Sequence, residues 1–199
     1  GFAGRDAGPY DSLLANDSRV LGEERRADDP NAGAAREFAR LLRDRGVVID
    51  GAATTTSGAA QGRPEIASVT SVPLSDVIAE LLLNSDNNTA ELLLKEIGLS
   101  ASGVGTREAG AAEVVATLDE WGVPTAGIVV GDGSGLSLTN RLTCSALLAV
   151  LQRSPITGPI GAGLPVAGET GSLSDVFVDD PVAGRLLGKT GTSRGGEDS

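Results

Sequence analysis

The pattern of apolar and polar positions predicts helices for much of the chain. Apolar residues recur at helical spacing over residues 34–42, 74–82 and 89–97, as expected for helices that turn one face toward a core. Asn31 is the predicted N-cap of the first helix, because its amide oxygen could accept a free backbone N–H. Gly98 is the predicted end of the third helix, since glycine commonly follows the last helical turn.

Two more helices are predicted further along the chain, each with a threonine before it. Thr106 precedes the pattern at 109–121, and Gly122 follows it. Thr143 precedes a second apolar pattern that runs to residue 151. A threonine hydroxyl accepts a free N–H in the first turn, and a glycine closes the last turn. Both segments are therefore predicted to form capped helices.

Short strands alternate with these helices. The apolar or alternating segments 47–49, 66–72, 128–130 and 185–192 predict strands, whereas the glycine-punctuated stretch 155–171 predicts a long loop. Helices and strands mixed in this way indicate the α+β class.

The amino-acid composition excludes several classes of function and of site. A formal net charge of −11 argues against nucleic acid as a partner, because phosphate binding needs clustered basic residues. The chain contains no histidine, which excludes a Ser-His-Asp triad and a histidine-based metal site. Cys144 is the single cysteine, so an internal disulfide is excluded. No apolar run approaches the length needed to cross a bilayer. We expect neither a metal nor a cofactor.

Two short motifs carry the residue types of an active site. Residues 85–87 read Ser-Asp-Asn between two predicted helices, and residues 189–192 read Lys-Thr-Gly-Thr on a predicted strand. Taken singly, each has a structural interpretation. Ser85 or Asp86 would cap the following helix, and Lys189 would protect an edge strand from aggregation. Together they resemble two of the three motifs of class A β-lactamases and penicillin-binding proteins.

The third motif of that set, S-x-x-K, is absent from the chain. The lysines are Lys95 and Lys189, and leucines stand three positions before each of them. Without histidine, an activated serine needs another base, for which a lysine of lowered pKa is suited. The sequence therefore contains part of an active site but no nucleophile with its base.

A phosphate-binding loop is an alternative interpretation of Gly188-Lys189-Thr190. That motif requires a glycine five positions before Gly188, where the chain has Ala183, and a helix directly after it. Gly191 follows instead, so a nucleotide-binding protein is a weak alternative.

The surrounding segments strengthen the resemblance. Residues 83–93, 132–141, 164–173 and 188–192 are similar in order and spacing to the S13 (penicillin-binding protein 4, DacB-like) family of D-alanyl-D-alanine carboxypeptidases, and the similarity covers 29–192. The resemblance implies part of a β-lactamase/transpeptidase-like domain, with an antiparallel sheet and helices. Residues 1–30 would be the tail of a preceding or inserted domain, and 193–199 a frayed tail. Because S-x-x-K lies upstream in the family, the chain would be a fragment of the enzyme.

The resemblance also implies a role for each matched residue. The implied catalytic and substrate-binding residues are Ser85, Asn87 and Lys189, with Thr190, Gly191 and Thr192. The serine would relay a proton to the leaving amine, and the asparagine would bind the peptide side of the substrate. The lysine would supply positive charge, and the two threonine hydroxyls would hold the terminal carboxylate. Thr192 N–H would be half of an oxyanion hole.

The implied reaction is acyl transfer from a peptidoglycan stem peptide ending in D-Ala-D-Ala, through an acyl-enzyme that β-lactams trap. The parent protein would act in the periplasm or elsewhere outside the cytoplasm, and this chain alone would be inactive. The alternative is a catalytically inert module that binds peptidoglycan peptides in the same cleft.

Overall fold

The computed structural model describes residues 8–9, 13, 15, 27–56, 62 and 64–191. The chain divides into two compact units, Gly1–Thr70 and Ser71–Ser199. The first contains helix α1, Pro30–Arg43. The described part of the second contains five helices and a 3-10 turn: α2 Leu74–Asn84, α3 Asn87–Ser102, α4 Arg107–Glu120, α5 Cys144–Arg153, α6 Pro159–Gly163 and the turn Gly171–Leu173. The predicted division into 1–30, 31–192 and 193–199 stays a prediction.

Helix α1 forms where the pattern predicted it, but with a different cap. Asp29 is the N-cap, and its carboxylate accepts the Ala32 N–H at 2.9 Å. Pro30 occupies the first helical position, where its fixed φ suits a helix and no N–H is needed. Asn31 therefore lies inside the helix, and its side chain accepts the Leu13 N–H at 2.8 Å. The predicted cap at Asn31 was wrong.

Helix α3 continues through Gly98 and ends before Gly103, which adopts a φ of 74°. Gly98 instead lies against α4, where a Cβ would come within 2.6 Å of the Gly110 backbone nitrogen. A Cβ at Gly110 would in turn overlap the carbonyl oxygen of Leu94. The prediction that α3 ends at Gly98 was wrong, because this glycine allows two helices to approach closely.

The predicted caps of α4 and α5 are confirmed. The hydroxyl of Thr106 accepts the Ala109 N–H at 3.2 Å, and that of Thr143 accepts the Ala146 N–H at 3.1 Å. Between these helices the chain turns back through buried apolar residues. A core cluster consequently joins the end of α4 to α5 and consists of Leu118, Val123, Ile128 and Ala146.

Strand content is low in the described residues, which are mostly helical. Two isolated antiparallel bridges occur there, Val129 with Arg141 and Val166 with Leu187. The segments 47–49 and 66–72 form no strand, and Ile66 and Val69 are each 96% exposed. Strands persist only beside partner strands or a packed face, and these segments have neither among the described residues. The antiparallel sheet stays a prediction.

Two other segments differ from the sequence-based expectation. The stretch 155–171, predicted to be a loop, contains α6 and the start of the 3-10 turn. The stretch 185–191, predicted to be a strand, makes one bridge at Leu187 and is otherwise without regular structure. Among the described helices, none combines the length and apolar character that crossing a membrane requires.

Candidate active site

The connection between α2 and α3 presents Ser85. This residue ends α2 with φ 56° and ψ 48°, a left-handed conformation that is uncommon for a residue with a side chain. Such conformations cost about 1–3 kcal/mol and concentrate at functional sites, where the surrounding structure holds them. The backbone at Ser85 is therefore bent sharply between two helices, and its hydroxyl projects from the bend.

Asp86, the next residue, has a structural role. Its carboxylate accepts the backbone N–H groups of Asn88 and Thr89 at 3.0 and 3.2 Å, and the Thr89 hydroxyl at 2.6 Å. A negative side chain at this position also interacts favourably with the helix dipole. Asp86 is thus the N-cap of α3, and half-buried Asn87 occupies the first position of that helix.

Lys189 contacts Ser85 directly. The Nζ atom donates to Ser85 Oγ at 2.8 Å, across 104 residues of sequence, and to the Thr190 carbonyl at 2.7 Å. An ammonium group has three hydrogens, and within the described residues the third has no protein acceptor. Partial burial lowers the pKa of Lys189 from its ordinary value of 10.5. The structure thus brings together the two motifs at their serine and their lysine.

The residues around Lys189 do not form a phosphate loop in the described part of the chain. No helix begins at this lysine, and residues 188–191 have no regular secondary structure. Because a phosphate loop needs a helix N-terminus to hold the anion, the structure gives that alternative no support.

Thr190 contacts a residue that sequence reasoning left without a role. Its hydroxyl donates to Ser172 Oγ at 2.8 Å, and Ser172 lies in the 3-10 turn. Among the described residues, no atom would lie within 4 Å of a Cβ at Gly191, so this part of the chain leaves one side of the backbone open there. Thr192 lies outside the described residues.

Glu91 is a second residue that sequence reasoning missed. It lies on α3, is 4% exposed, and forms an ion pair with Arg107 at 2.9 Å. Its other carboxylate oxygen accepts the N–H groups of Gly133 and Ser134, each at 3.0 Å, and the Ser134 hydroxyl at 2.8 Å. A glutamate on a helix ordinarily indicates a solvated face, so the sequence carried no sign of this contact.

The glycine-rich segment 131–140 is also stabilised by hydrogen bonds to one of its own residues, Asp132. Asp132 is 6% exposed and accepts the N–H groups of Gly135 and Ser137 at 2.9 and 2.6 Å. The Asn140 amide donates to the same carboxylate at 2.7 Å and accepts the Gly131 N–H at the same distance. This segment, one of those that carry the family resemblance, therefore fixes a loop against the helix that begins at Asn87.

In the described residues, no group of three or more acidic, histidine or cysteine side chains is placed to bind a metal ion.

Comparison with known proteins agrees with this arrangement. Over 196 aligned residues, the chain is 36% identical to a D-alanyl-D-alanine carboxypeptidase of Actinomadura sp. (strain R39), covering 92% of this chain and 36% of that protein. It is 31% identical over 204 residues to Carboxypeptidase DacB of Mycolicibacterium smegmatis, covering 96% of this chain and 44% of the relative. These relatives are carboxypeptidases, and therefore hydrolases.

A solved structure shows the same relationship. Penicillin binding protein 4 (dacB) from Haemophilus influenzae, complexed with a novel β-lactam, matches with a TM-score of 0.68 and 25% identity, over 84% of this chain and 39% of that one. The chain thus spans between 36% and 44% of the length of these proteins. Residues 11–195 match the D-Ala-D-Ala carboxypeptidase 3 (S13) family, and the chain belongs to that family, as its motifs indicated.

Proposed function

We propose that this chain forms part of the active site of a serine-type D-Ala-D-Ala carboxypeptidase that acts on peptidoglycan stem peptides in the cell envelope. The observation that carries the proposal is the 2.8 Å contact between Lys189 Nζ and Ser85 Oγ. Two motifs far apart in sequence meet at the pair of groups that a proton relay requires.

Ser85 is the proposed proton relay. In the reaction, the serine of an S-x-x-K motif attacks the carbonyl carbon of the D-Ala-D-Ala amide, and the C–N bond breaks. The Ser85 hydroxyl gives its proton to the departing amine nitrogen and takes one from the base of the nucleophile. The adjacent Lys189 ammonium stabilises the negative charge that develops on Ser85 Oγ during the transfer.

Lys189 and the residues after it are the proposed site for the terminal carboxylate of the substrate. Within the described residues the third ammonium hydrogen of Lys189 has no acceptor, and no described atom closes off the backbone beside Gly191. A cation near partly buried hydroxyl groups binds a carboxylate more strongly than an exposed cation does, because water competes less. Thr190 and Thr192 complete this site in the proposal, and Asn87 binds the peptide on the other side of the scissile bond.

The chain alone lacks the nucleophile, since it contains no S-x-x-K motif. We therefore expect that it does not turn over peptides by itself. That same absence favours the second candidate, an inert module that binds peptidoglycan peptides. The two candidates differ in whether the cleft becomes catalytic once a serine of S-x-x-K is beside Ser85.

A chimeric enzyme distinguishes the catalytic site from the inert binding module. The matching region of the Actinomadura carboxypeptidase is replaced by this chain, and release of D-alanine from Nα-acetyl-L-Lys-D-Ala-D-Ala is measured. The proposal predicts activity that falls by about 10²–10⁴ in kcat/KM for Ser85→Ala, mainly through kcat, as for loss of a positioned proton donor. Lys189→Gln is expected to raise KM as well.

The matched controls are Ser174→Ala and Arg185→Gln, which remove an exposed hydroxyl and an exposed positive charge from nearby segments. Both should keep the activity of the unsubstituted chimera. A chimera that binds the peptide but releases no D-alanine would favour the inert module. Full activity in Ser85→Ala would refute the assigned relay.

A further inference from the structure

The bend that presents Ser85 is held on its α2 side by two close backbone contacts. A Cβ at Gly163, in α6, would come within 2.5 Å of the Ala79 Cα, and a Cβ at Gly171 would overlap the carbonyl oxygen of Leu83. Glycine is the residue that permits such an approach, because it has no Cβ. The second half of α2 is therefore fixed before the chain reaches Ser85.

The α3 side of the bend carries Glu91, one helical turn after Asn87. Residues four apart lie on the same face of a helix, so the glutamate is next to the asparagine of the motif along that face. A Cβ at Gly133 would overlap the carbonyl oxygen of Ala90, which shows that segment 131–140 lies directly against the first turn of α3. The side chain of Glu91 is thereby buried between helix and segment, and the residue is 4% exposed.

Both oxygens of the Glu91 carboxylate are engaged by described residues. One accepts two hydrogen bonds from the guanidinium of Arg107, at 3.0 and 2.9 Å. The other accepts the backbone N–H groups of Gly133 and Ser134, each at 3.0 Å. A carboxylate offers about four lone-pair sites, so these N–H donors leave none for a substrate. Glu91 therefore joins α3 to two other segments and takes no direct part in the chemistry.

The conformation of Ser85 makes such support necessary. A φ of 56° is strained for a serine and persists only where the surrounding structure holds it. The Asp86 N–H donates to the Leu81 carbonyl, and the Asp86 carbonyl accepts the Ala90 N–H, both at 3.1 Å. Asp86 thus links the last turns of α2 to the first turn of α3. A shift of that first turn is consequently transmitted to Ser85, the residue directly before Asp86.

We infer that Glu91 is a positioning residue, which holds the first turn of α3 in the place where the Ser85 hydroxyl meets Lys189. The inference rests on the proposed function, since it assigns a support to the proposed relay. A misplacement of about 1 Å caused by a residue away from the reacting atoms can lower a rate by about 10²-fold. Loss of the Glu91 carboxylate should therefore affect turnover more than substrate binding.

The test on the chain itself is the nuclear Overhauser effect (NOE) between the Ser85 Hβ and Lys189 Hε protons. These protons are close while the 2.8 Å contact between Oγ and Nζ persists. The chain has two lysines, so a Lys95→Arg variant assigns the Lys189 signals. Glu91→Ala removes the carboxylate. The matched control is Leu118→Ala, which leaves a cavity in a core cluster formed by residues outside α2 and α3 and so lowers stability by another route.

The expected result is that the NOE is lost in Glu91→Ala and kept in Leu118→Ala. In the chimera with the Actinomadura carboxypeptidase, Glu91→Ala should lower kcat about 10–100-fold and change KM by less than about twofold. Leu118→Ala should leave both constants unchanged at a temperature at which it is folded. Glu91→Gln keeps one oxygen and should lose less of the NOE and of kcat, and it carries the test if Glu91→Ala does not fold.

Several outcomes overturn the inference. If the natural chain shows the NOE and Glu91→Ala keeps it, the carboxylate supports segment 131–140 alone, and the proposed function survives. If Leu118→Ala loses the NOE to the same extent, the effect is one of general stability. If KM rises while kcat is unchanged, Glu91 supports substrate binding and not the relay. A natural chain without this NOE would contradict both the inference and the contact on which the proposed function rests.

Discussion

Replacing Glu91 with alanine tests whether the buried carboxylate holds the glycine-rich segment 131–140 against α3. The substitution removes the acceptor of the backbone N–H groups of Gly133 and Ser134, and it takes the Glu91 carboxylate away from the guanidinium of Arg107. Because Glu91 is 4% exposed, water does not easily replace the lost oxygen atoms. The segment should therefore loosen from the helix that begins at Asn87.

The structure sets the size of the effect. Removing one partner of a buried ion pair costs about 3–5 kcal/mol, and an unsatisfied buried N–H costs about 1–3 kcal/mol. The side chain of Arg107 is 31% exposed, so water can solvate part of its charge after the substitution. We therefore expect a loss near the lower limit, about 3 kcal/mol. For a protein of this length, that corresponds to roughly 6–12 °C in Tm.

The assay is urea unfolding followed by far-ultraviolet circular dichroism, with Glu96→Ala as the matched control. Glu96 is an exposed glutamate on the same helix, so its replacement should change the free energy of unfolding by less than about 0.5 kcal/mol. Glu91→Gln should fall between the two, because one amide oxygen remains while the NH2 group faces Arg107. A Glu91→Ala protein as stable as Glu96→Ala would refute the reasoning.

Three further predictions concern packing, backbone and charge. Gly110→Ala should destabilise the chain by about 1–3 kcal/mol in calorimetry, because its Cβ would overlap the Leu94 carbonyl; Gly105→Ala, whose Cβ would lie 3.7 Å from its nearest neighbour, should cost far less. Ser85→Gly should be about 1 kcal/mol more stable than Ser85→Ala, since both lack the hydroxyl and only glycine adopts a φ of 56° without strain; equal stability in urea unfolding would contradict this. The lowered pKa of Lys189 means that the unfolded chain binds more protons just below pH 10.5, so stability contributed by this group rises with pH in that window. The affinity for Nα-acetyl-D-Ala-D-Ala, measured by NMR, should fall over the same pH window as the ammonium is lost. An affinity that does not change up to pH 10.5 would contradict the role of Lys189 in binding the carboxylate.

The features that the sequence predicted correctly depend on neighbours along the chain. Thr106 and Thr143 were identified as caps because an N-cap contacts residues two or three positions later. Gly98 was misread because its role depends on Gly110, which belongs to another helix. The strands predicted at 47–49 and 66–72 failed for the same reason, since a strand needs a partner that local pattern does not reveal.

In the candidate site, too, the sequence alone did not reveal contacts between distant residues. The family resemblance assigned Ser85 and Lys189 to one active site, which no local pattern does for residues so far apart. Glu91 was missed because a buried glutamate and a solvated one look alike in a helical pattern. Ser172 was missed because a hydroxyl in a glycine-rich segment has no distinctive spacing. Both missed residues act through contacts that exist only in the folded chain.

Penicillin labelling tests the central claim most directly. The purified chain and the chimera with the Actinomadura carboxypeptidase are incubated with a fluorescent penicillin, separated on a denaturing gel and analysed by mass spectrometry. The account predicts no adduct on the chain alone and one adduct on the chimera, at the serine of S-x-x-K. Lys189 is expected to stay protonated at neutral pH, and a protonated lysine does not activate Ser85. A stoichiometric adduct on Ser85 of the chain alone would show that the relay assigned to this serine is wrong and that it is the nucleophile.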